Sequence, residues 1–147
     1  MTVVDKFERI VRKDELLAPH TWFGLGGPAE YFAEPNSVEE LAGLVKRCRQ
    51  EGIAVRVLGG GSNLLVRDEG VRGMVLRLGA PAFNDIHAGK QRITAGAGAR
   101  LGHVVSMAVR EGLSGLETLV GIPGTLGGAL RGNAGSHGGD VGQWVSR

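Results

Sequence analysis

The chain has 147 residues, 42% of them hydrophobic and 22% charged, which is enough for one hydrophobic core or two small lobes. Its formal net charge is only +2 and it has no basic stripe with interleaved aromatic residues, which argues against nucleic-acid binding. No run of about 18 apolar residues occurs, so we predict no membrane span.

Residues 1–18 are predicted to be an N-terminal helical segment. Ile10 and Val11 share one face of a helix over residues 3–17, and charged residues occupy the other faces. The segment has no signal-peptide core, and Cys48, the only cysteine, excludes an internal disulfide. These features predict a cytoplasmic protein in which Cys48 is a core thiol.

The glycine-rich segment His20–Pro28 also contains Trp22 and Phe23. An inert linker would not need two aromatic residues. Two interpretations stay open: a buried turn that packs both rings against the core, and a turn that presents them to a ligand.

The next residues predict a strand–helix–strand unit. Ala29–Ala33 has the composition of a strand, and Ser37 with Glu40 has the pattern of a capping box. The following helix ends at Gly52, where a left-handed cap is expected, and residues 53–58 form the next strand. The apolar face of this helix consists of Val38, Leu41, Leu44, Val45 and Cys48.

Three consecutive glycines, Gly59, Gly60 and Gly61, follow this strand, and Ser62 and Asn63 come directly after them. Glycine has no Cβ and adopts positive φ, so successive main-chain N–H groups can face one anion. The Ser62 hydroxyl and the Asn63 amide would add donors. A tight turn between two strands is the alternative. Because ligands of open α/β sheets bind at the carboxyl ends of strands, the pattern favours a pyrophosphate site.

Beyond this loop, short strands are predicted at Leu64–Val66 and Met74–Leu78, joined by a turn at Asp68–Gly70. Residues 79–90 show little periodicity and are interpreted as a boundary between two lobes. The next predicted strand is Arg92–Ala95.

A second helix is predicted after that strand, with Leu101, Val104, Val105 and Ala108 on its buried face. Gly96, Gly98 and Gly102 resemble a dinucleotide-binding fingerprint with one residue too many, which is a weak indication of a second phosphate loop.

The last third of the chain contains two further glycine-rich runs, Gly121–Ala129 and Asn133–Gly139. Gly127 and Gly128 would each weaken an isolated helix by about 1 kcal/mol relative to alanine. Their presence therefore indicates a close approach of the main chain to another group. His137 either contacts a ligand or faces solvent, and both interpretations stay open.

Five motifs, in one order and spacing, resemble the UDP-N-acetylenolpyruvoylglucosamine reductase (MurB) family. They are Thr21–Ala29, Leu58–Val66, Gly112–Glu117, Gly121–Ala129 and Asn133–Gly135. The resemblance covers roughly residues 18–145, which is nearly the whole chain.

The resemblance implies a truncated α+β fold, a two-lobed FAD-binding domain of the vanillyl-alcohol-oxidase (PCMH) type. Residues 19–79 would form lobe 1 and residues 80–147 an incomplete lobe 2, with the substrate-binding domain absent. The cofactor-binding residues that the motifs carry over are Gly59, Gly60, Gly61, Ser62 and Asn63 for the pyrophosphate, Ile122, Pro123, Gly124, Thr125 and Gly128 for the adenosine and phosphate side, and Asn133, Gly135 and Ser136 for the flavin end.

Enzymes of this family are implied to reduce UDP-N-acetylenolpyruvoylglucosamine to UDP-N-acetylmuramate with FAD and NADPH, for peptidoglycan synthesis. The resemblance carries no catalytic residue and no metal ligand to this chain, because the family's proton-donor serine has no match here. We therefore expect a flavin-binding half that does not reduce the sugar without a C-terminal half. The alternatives are a stand-alone flavin-binding module and an interaction domain that has lost its ligand.

Overall fold

The computed structural model describes residues 2–146, which divide into two compact units between Ala82 and Phe83. The first unit contains helices α1 (Val3–Lys6) and α2 (Val38–Gln50) and strands β1 (Val11–Leu16), β2 (Pro28–Ala33), β3 (Val55–Leu58) and β4 (Val71–Arg77). These strands form one sheet in the order β1-β2-β4-β3, in which β1 is antiparallel to β2 and the other neighbours are parallel. No helix of residues 2–146 is long and apolar enough to cross a membrane.

The predicted helix over residues 3–17 is wrong beyond Lys6. Thr2 caps a single helical turn, and the chain then forms the edge strand β1, whose Val11 pairs with Ala33. The apolar residues on which the helix was based do reach the core, since Val11 is buried there and Ile10 packs against it. Pairing with β2 decides the conformation, and this non-local interaction overrides the local periodicity.

Helix α2 follows most of its local sequence signals, but Val38 and Val45 of the predicted apolar face are exposed because the sheet covers only the side of the helix that carries Leu44 and Cys48. The Ser37 hydroxyl accepts from the Glu40 N–H at 3.2 Å, and Gly52 has the predicted left-handed conformation, with φ +67°. The capping box is only half formed, because the Glu40 carboxylate accepts from the N–H of Asn36 at 2.8 Å and not from that of Ser37. The helix buries Leu44 completely against the sheet.

The predicted strand at Leu64–Val66 is wrong, because these residues form no strand. Leu64 and Leu65 are exposed, and Val66 is buried against Phe32 and Leu58. The apolar run therefore belongs to an irregular segment that returns to β4, and β4 begins at Val71 rather than at Met74.

The second unit is built from short elements. Strands β5 (Ile86–Gly89) and β6 (Arg92–Ala95) form a hairpin, followed by α3 (Leu101–Arg110), α4 (Leu126–Gly132) and the strand pair β7 (Gly135–Ser136) and β8 (Gly139–Asp140). Its core contains Leu101, Val105, Leu119, Ala129 and Val141. The buried face of α3 is the predicted one, with Leu101, Val104, Val105 and Ala108 inside.

Cys48 is fully buried in the core of the first unit, as its spacing predicted. Burial raises the pKa of its thiol, and the nearby Glu51 carboxylate raises it further. Because the thiolate is the reactive form, we expect Cys48 to react with a thiol reagent at pH 8 far more slowly in the native chain than in urea. A reaction equally fast in both states, measured by absorbance of the released reagent, would contradict its burial.

Candidate functional site

The glycine loop, Gly59–Asn63, lies at the carboxyl end of β3. Leu58, the last residue of β3, pairs with Arg77, the last residue of the parallel strand β4. The loop therefore leaves the sheet at the edge where parallel strands end, which is where open α/β sheets bind ligands.

Three main-chain N–H groups of the glycine loop make no main-chain hydrogen bond among the described residues. Among the main-chain hydrogen bonds of residues 2–146, none uses the N–H of Gly60, Gly61 or Asn63 as its donor. Gly61 has φ +66°, a conformation that turns consecutive peptide units toward one side. Asn63 is exposed and Ser62 is half-buried. This donor set fits a phosphate or pyrophosphate group.

Two residues that precede β2, His20 and Trp22, contact the glycine loop. A Cβ on Gly61 would overlap the main-chain carbonyl oxygen of His20, and Trp22 N–H donates to the Gly61 carbonyl at 3.0 Å. Sequence reasoning missed this contact. The only signal in the sequence was the neighbouring pair Gly26 and Gly27, since adjacent glycines indicate close packing of the main chain.

Those glycines continue the same contact. A Cβ on Gly26 would lie 2.7 Å from the Cβ of Val66, and Gly27 N–H donates to the Arg67 carbonyl at 2.9 Å. The segment His20–Pro28 is therefore packed along the chain that leaves the glycine loop.

Trp22 and Phe23 are exposed, at 68% and 60%. The interpretation that both rings pack into the core is wrong. Their main chain is held by Thr21, whose buried hydroxyl donates to the Leu25 carbonyl at 3.0 Å. The turn thus presents two aromatic rings to its surroundings, next to the residues that support Gly61.

In the second unit, the predicted adenosine-side residues surround the start of α4. Thr125 caps this helix by accepting from Gly128 N–H at 3.3 Å, and Gly124 has φ +101°. The N–H group of Leu126 donates to the Ala99 carbonyl and that of Gly127 to the Ala97 carbonyl, both at 2.8 Å. Because these donors are engaged, the start of α4 does not present them to an anion. A ligand could still approach the main chain closely at Gly128, which is exposed and has no side chain.

Close packing also explains Gly127. A Cβ there would lie 2.9 Å from the Cβ of Ala97, so only glycine allows α4 to approach this segment. Ile122 is half-buried against the core of the unit, and Pro123 is exposed.

The predicted flavin-end residues follow α4. Asn133 ends the helix in the left-handed conformation, with φ 43°, and its Oδ1 accepts from Gly142 N–H at 3.0 Å. Gly135 and Ser136 form the first strand of the small pair β7–β8. His137 is exposed at the turn with φ 50°, a position that is compatible with both interpretations of this residue.

The glycines around the start of α3 form a structural turn. Gly96 N–H donates to the Asp85 carbonyl at 2.8 Å and Gly98 N–H to the Phe83 carbonyl at 2.9 Å. Since these donors are already satisfied, the fingerprint-like spacing does not produce a second phosphate loop of the kind considered from the sequence.

Comparison with known proteins identifies the family of the chain. The FAD binding domain family matches residues 29–146. UDP-N-acetylenolpyruvoylglucosamine reductase of Rhodopirellula baltica is 46% identical over 136 residues, which is 92% of this chain and 45% of that protein. The Rhodospirillum rubrum enzyme of the same name is 51% identical over 124 residues, 84% of this chain and 38% of that protein.

A solved structure gives the same result. The crystal structure of UDP-N-acetylenolpyruvylglucosamine reductase (MurB) from Thermus caldophilus matches with a TM-score of 0.70 and 42% identity, covering 88% of this chain and 45% of that one. The chain therefore spans less than half the length of the relatives that it matches.

The chain belongs to the FAD binding domain family, and FAD is the cofactor of this family. The resemblance to UDP-N-acetylenolpyruvoylglucosamine reductases is confirmed, and so is the α+β fold class. The match covers the FAD-binding part of those enzymes.

Proposed function

We propose that this chain is the FAD-binding part of an NADPH-dependent reductase that converts UDP-N-acetylenolpyruvoylglucosamine to UDP-N-acetylmuramate for peptidoglycan synthesis. The relatives that carry this name are 40–51% identical to the chain, and this identity extends over both units. A cytoplasmic location stays a prediction.

The observation that carries the proposal is the glycine loop. Its main-chain donors lie at the carboxyl end of β3, the N–H groups of Gly60, Gly61 and Asn63 donate to no main-chain carbonyl, and glycine has no side chain to cover them. We assign the pyrophosphate of FAD to Gly59, Gly60, Gly61, Ser62 and Asn63. Neutral N–H donors suit this dianionic group because several of them can share its charge without a lysine.

The predicted residues of the second unit are proposed to contact the remaining parts of FAD. Ile122, Pro123, Gly124, Thr125 and Gly128 are assigned to the adenosine and phosphate side, and Asn133, Gly135 and Ser136 to the flavin end. When bound, FAD supplies the hydride chemistry, and the residues of this chain bind and orient it. The Asn133 Oδ1 is engaged with Gly142, so its amide N–H₂ group is the part proposed to donate toward the flavin.

The test of the pyrophosphate assignment is Gly60→Val. A branched side chain at Gly60 would cover the loop donors, so we expect FAD affinity to fall at least about tenfold, on the order of 1.4 kcal/mol. Far-ultraviolet circular dichroism should change little. Titration followed by flavin fluorescence measures the affinity.

Gly102→Val is the matched control, because a Cβ at Gly102 meets no atom within 4 Å and this residue lies in α3, outside the glycine loop. It should bind FAD as the parent chain does. Unchanged affinity in Gly60→Val, or an equal loss in both variants, would remove the loop from the site.

A further inference from the structure

His20 is connected to three strands of the first unit. Its ring stacks on Phe32 of β2, with centroids 4.6 Å apart and an interplanar angle of 22°. Its Nε2 lies 3.1 Å from Oε1 of Glu15 in β1, and its Nδ1 lies 3.4 Å from Nη1 of Arg77 in β4. The side chain is only 12% exposed. Such a placement fixes the ring in position and orientation.

The partners also determine the hydrogen-bond roles of the two ring nitrogens. Arginine can only donate, so Nδ1 of His20 accepts from Arg77. Nε2 therefore carries the proton and donates to the Glu15 carboxylate. One neutral tautomer satisfies both contacts, and a side chain without one acceptor and one donor cannot replace it.

Five side chains close a ring of contacts above Phe32. Arg77 donates to Oε1 of Glu34 at 3.4 Å, and Arg12 donates to Oε2 of Glu34 at 2.7 Å. Arg12 also pairs with Glu15 at 3.4 Å, and because Glu15 contacts His20, this pair closes the network of side chains. Alternating charges make each carboxylate share two donors, and such networks hold their members more firmly than isolated pairs do.

The main chain of His20 is the part that reaches the glycine loop. Its carbonyl oxygen occupies the position that a Cβ of Gly61 would take, and Trp22 N–H donates to Gly61 at 3.0 Å. A displacement of His20 would therefore displace Gly61 directly, whereas Arg12 is linked to Gly61 only through Glu15 and His20.

We propose that His20 is a positioning residue for the glycine loop: its two side-chain hydrogen bonds hold its carbonyl against Gly61 and so keep the loop N–H groups in the conformation that binds pyrophosphate. This inference rests on the proposed function of the loop, and it adds a residue that makes no contact with the cofactor in that proposal.

The test compares three variants of the full chain. His20→Phe keeps a ring of similar size on Phe32 but removes both hydrogen bonds, and we expect FAD affinity to fall about tenfold. His20→Gln supplies one acceptor and one donor through its amide, so affinity should stay within about threefold of the parent chain. Arg12→Ala removes a member of the network but leaves both side-chain hydrogen bonds of His20 in place, so affinity should also stay within about threefold.

Two measurements are made on each variant, FAD titration and the ¹⁵N–¹H spectrum of the FAD-free chain. The amide resonances of Gly60 and Gly61 should shift in His20→Phe and stay near their parent positions in His20→Gln and Arg12→Ala. Parent-like affinity and resonances in His20→Phe, or an equal loss in all three variants, would overturn the inference.

The two proposals fail differently. A folded parent chain that does not bind FAD contradicts the proposed function, and the amide resonances still decide whether His20 positions the loop. If His20→Phe does not fold, His20→Asn replaces it, since asparagine retains an acceptor toward Arg77 but cannot reach Glu15 and is expected to shift the same resonances.

Discussion

A Gly61→Ala variant is expected to lose about 2–5 kcal/mol of unfolding free energy and to bind FAD at least about a hundredfold more weakly. Two effects add. Gly61 has φ +66°, where an L-residue costs about 1–2 kcal/mol, and its new Cβ would overlap the carbonyl oxygen of His20. Relief of that overlap must move the main chain of the loop, which carries the proposed donors. Urea unfolding and FAD titration measure the two losses.

Gly52→Ala separates these two effects. Gly52 has nearly the same conformation, with φ +67°, but a Cβ there meets no atom within 4 Å. This control should lose only the backbone term of about 1–2 kcal/mol and should keep its FAD affinity. Equal destabilisation of the two variants would show that the contact with His20 is not restrictive.

Phe32→Ala is expected to destabilise the chain by about 3–5 kcal/mol. Phe32 is fully buried, and its ring supports both the His20 imidazole and the Arg12 guanidinium, the latter 4.8 Å from the ring centroid. Removing the ring leaves a cavity and removes the surface on which these two side chains rest. The free energy of unfolding in urea is the direct measurement.

Phe23→Ala removes the same side chain from an exposed position, since Phe23 is 60% exposed. Its free energy of unfolding should differ from that of the parent by no more than about 0.5 kcal/mol. A similar loss in both variants would mean that Phe23 is buried in solution, contrary to the structure.

The elements that the sequence predicts well are those with local signals. Helix α2 has a capping serine and a terminal glycine in its local sequence, and both act as expected. Of its predicted apolar face, Leu44 and Cys48 are buried, whereas Val38 and Val45 are exposed. The glycine loop was also recognisable, because three glycines after a β-branched strand require an unusual conformation. Its place at the carboxyl end of β3 followed from the strand–helix–strand pattern.

The features that sequence reasoning missed depend on distant residues. Strand β1 exists because β2 pairs with it, and nothing within Val11–Leu16 alternates as a half-buried strand should. The support of Gly61 by His20 joins segments from different parts of the chain. Neither contact is visible before the sheet is assembled, so periodicity could not find them.

The measurement that tests the central claim most directly is FAD titration of the purified chain, with melting temperature recorded at each concentration. The proposal predicts saturable quenching of flavin fluorescence and a rise in melting temperature, corresponding to about 2.7 kcal/mol of stabilisation at one hundred times the dissociation constant. A chain that is folded by circular dichroism and shows neither change would contradict an FAD-binding role and would support the interaction-domain alternative.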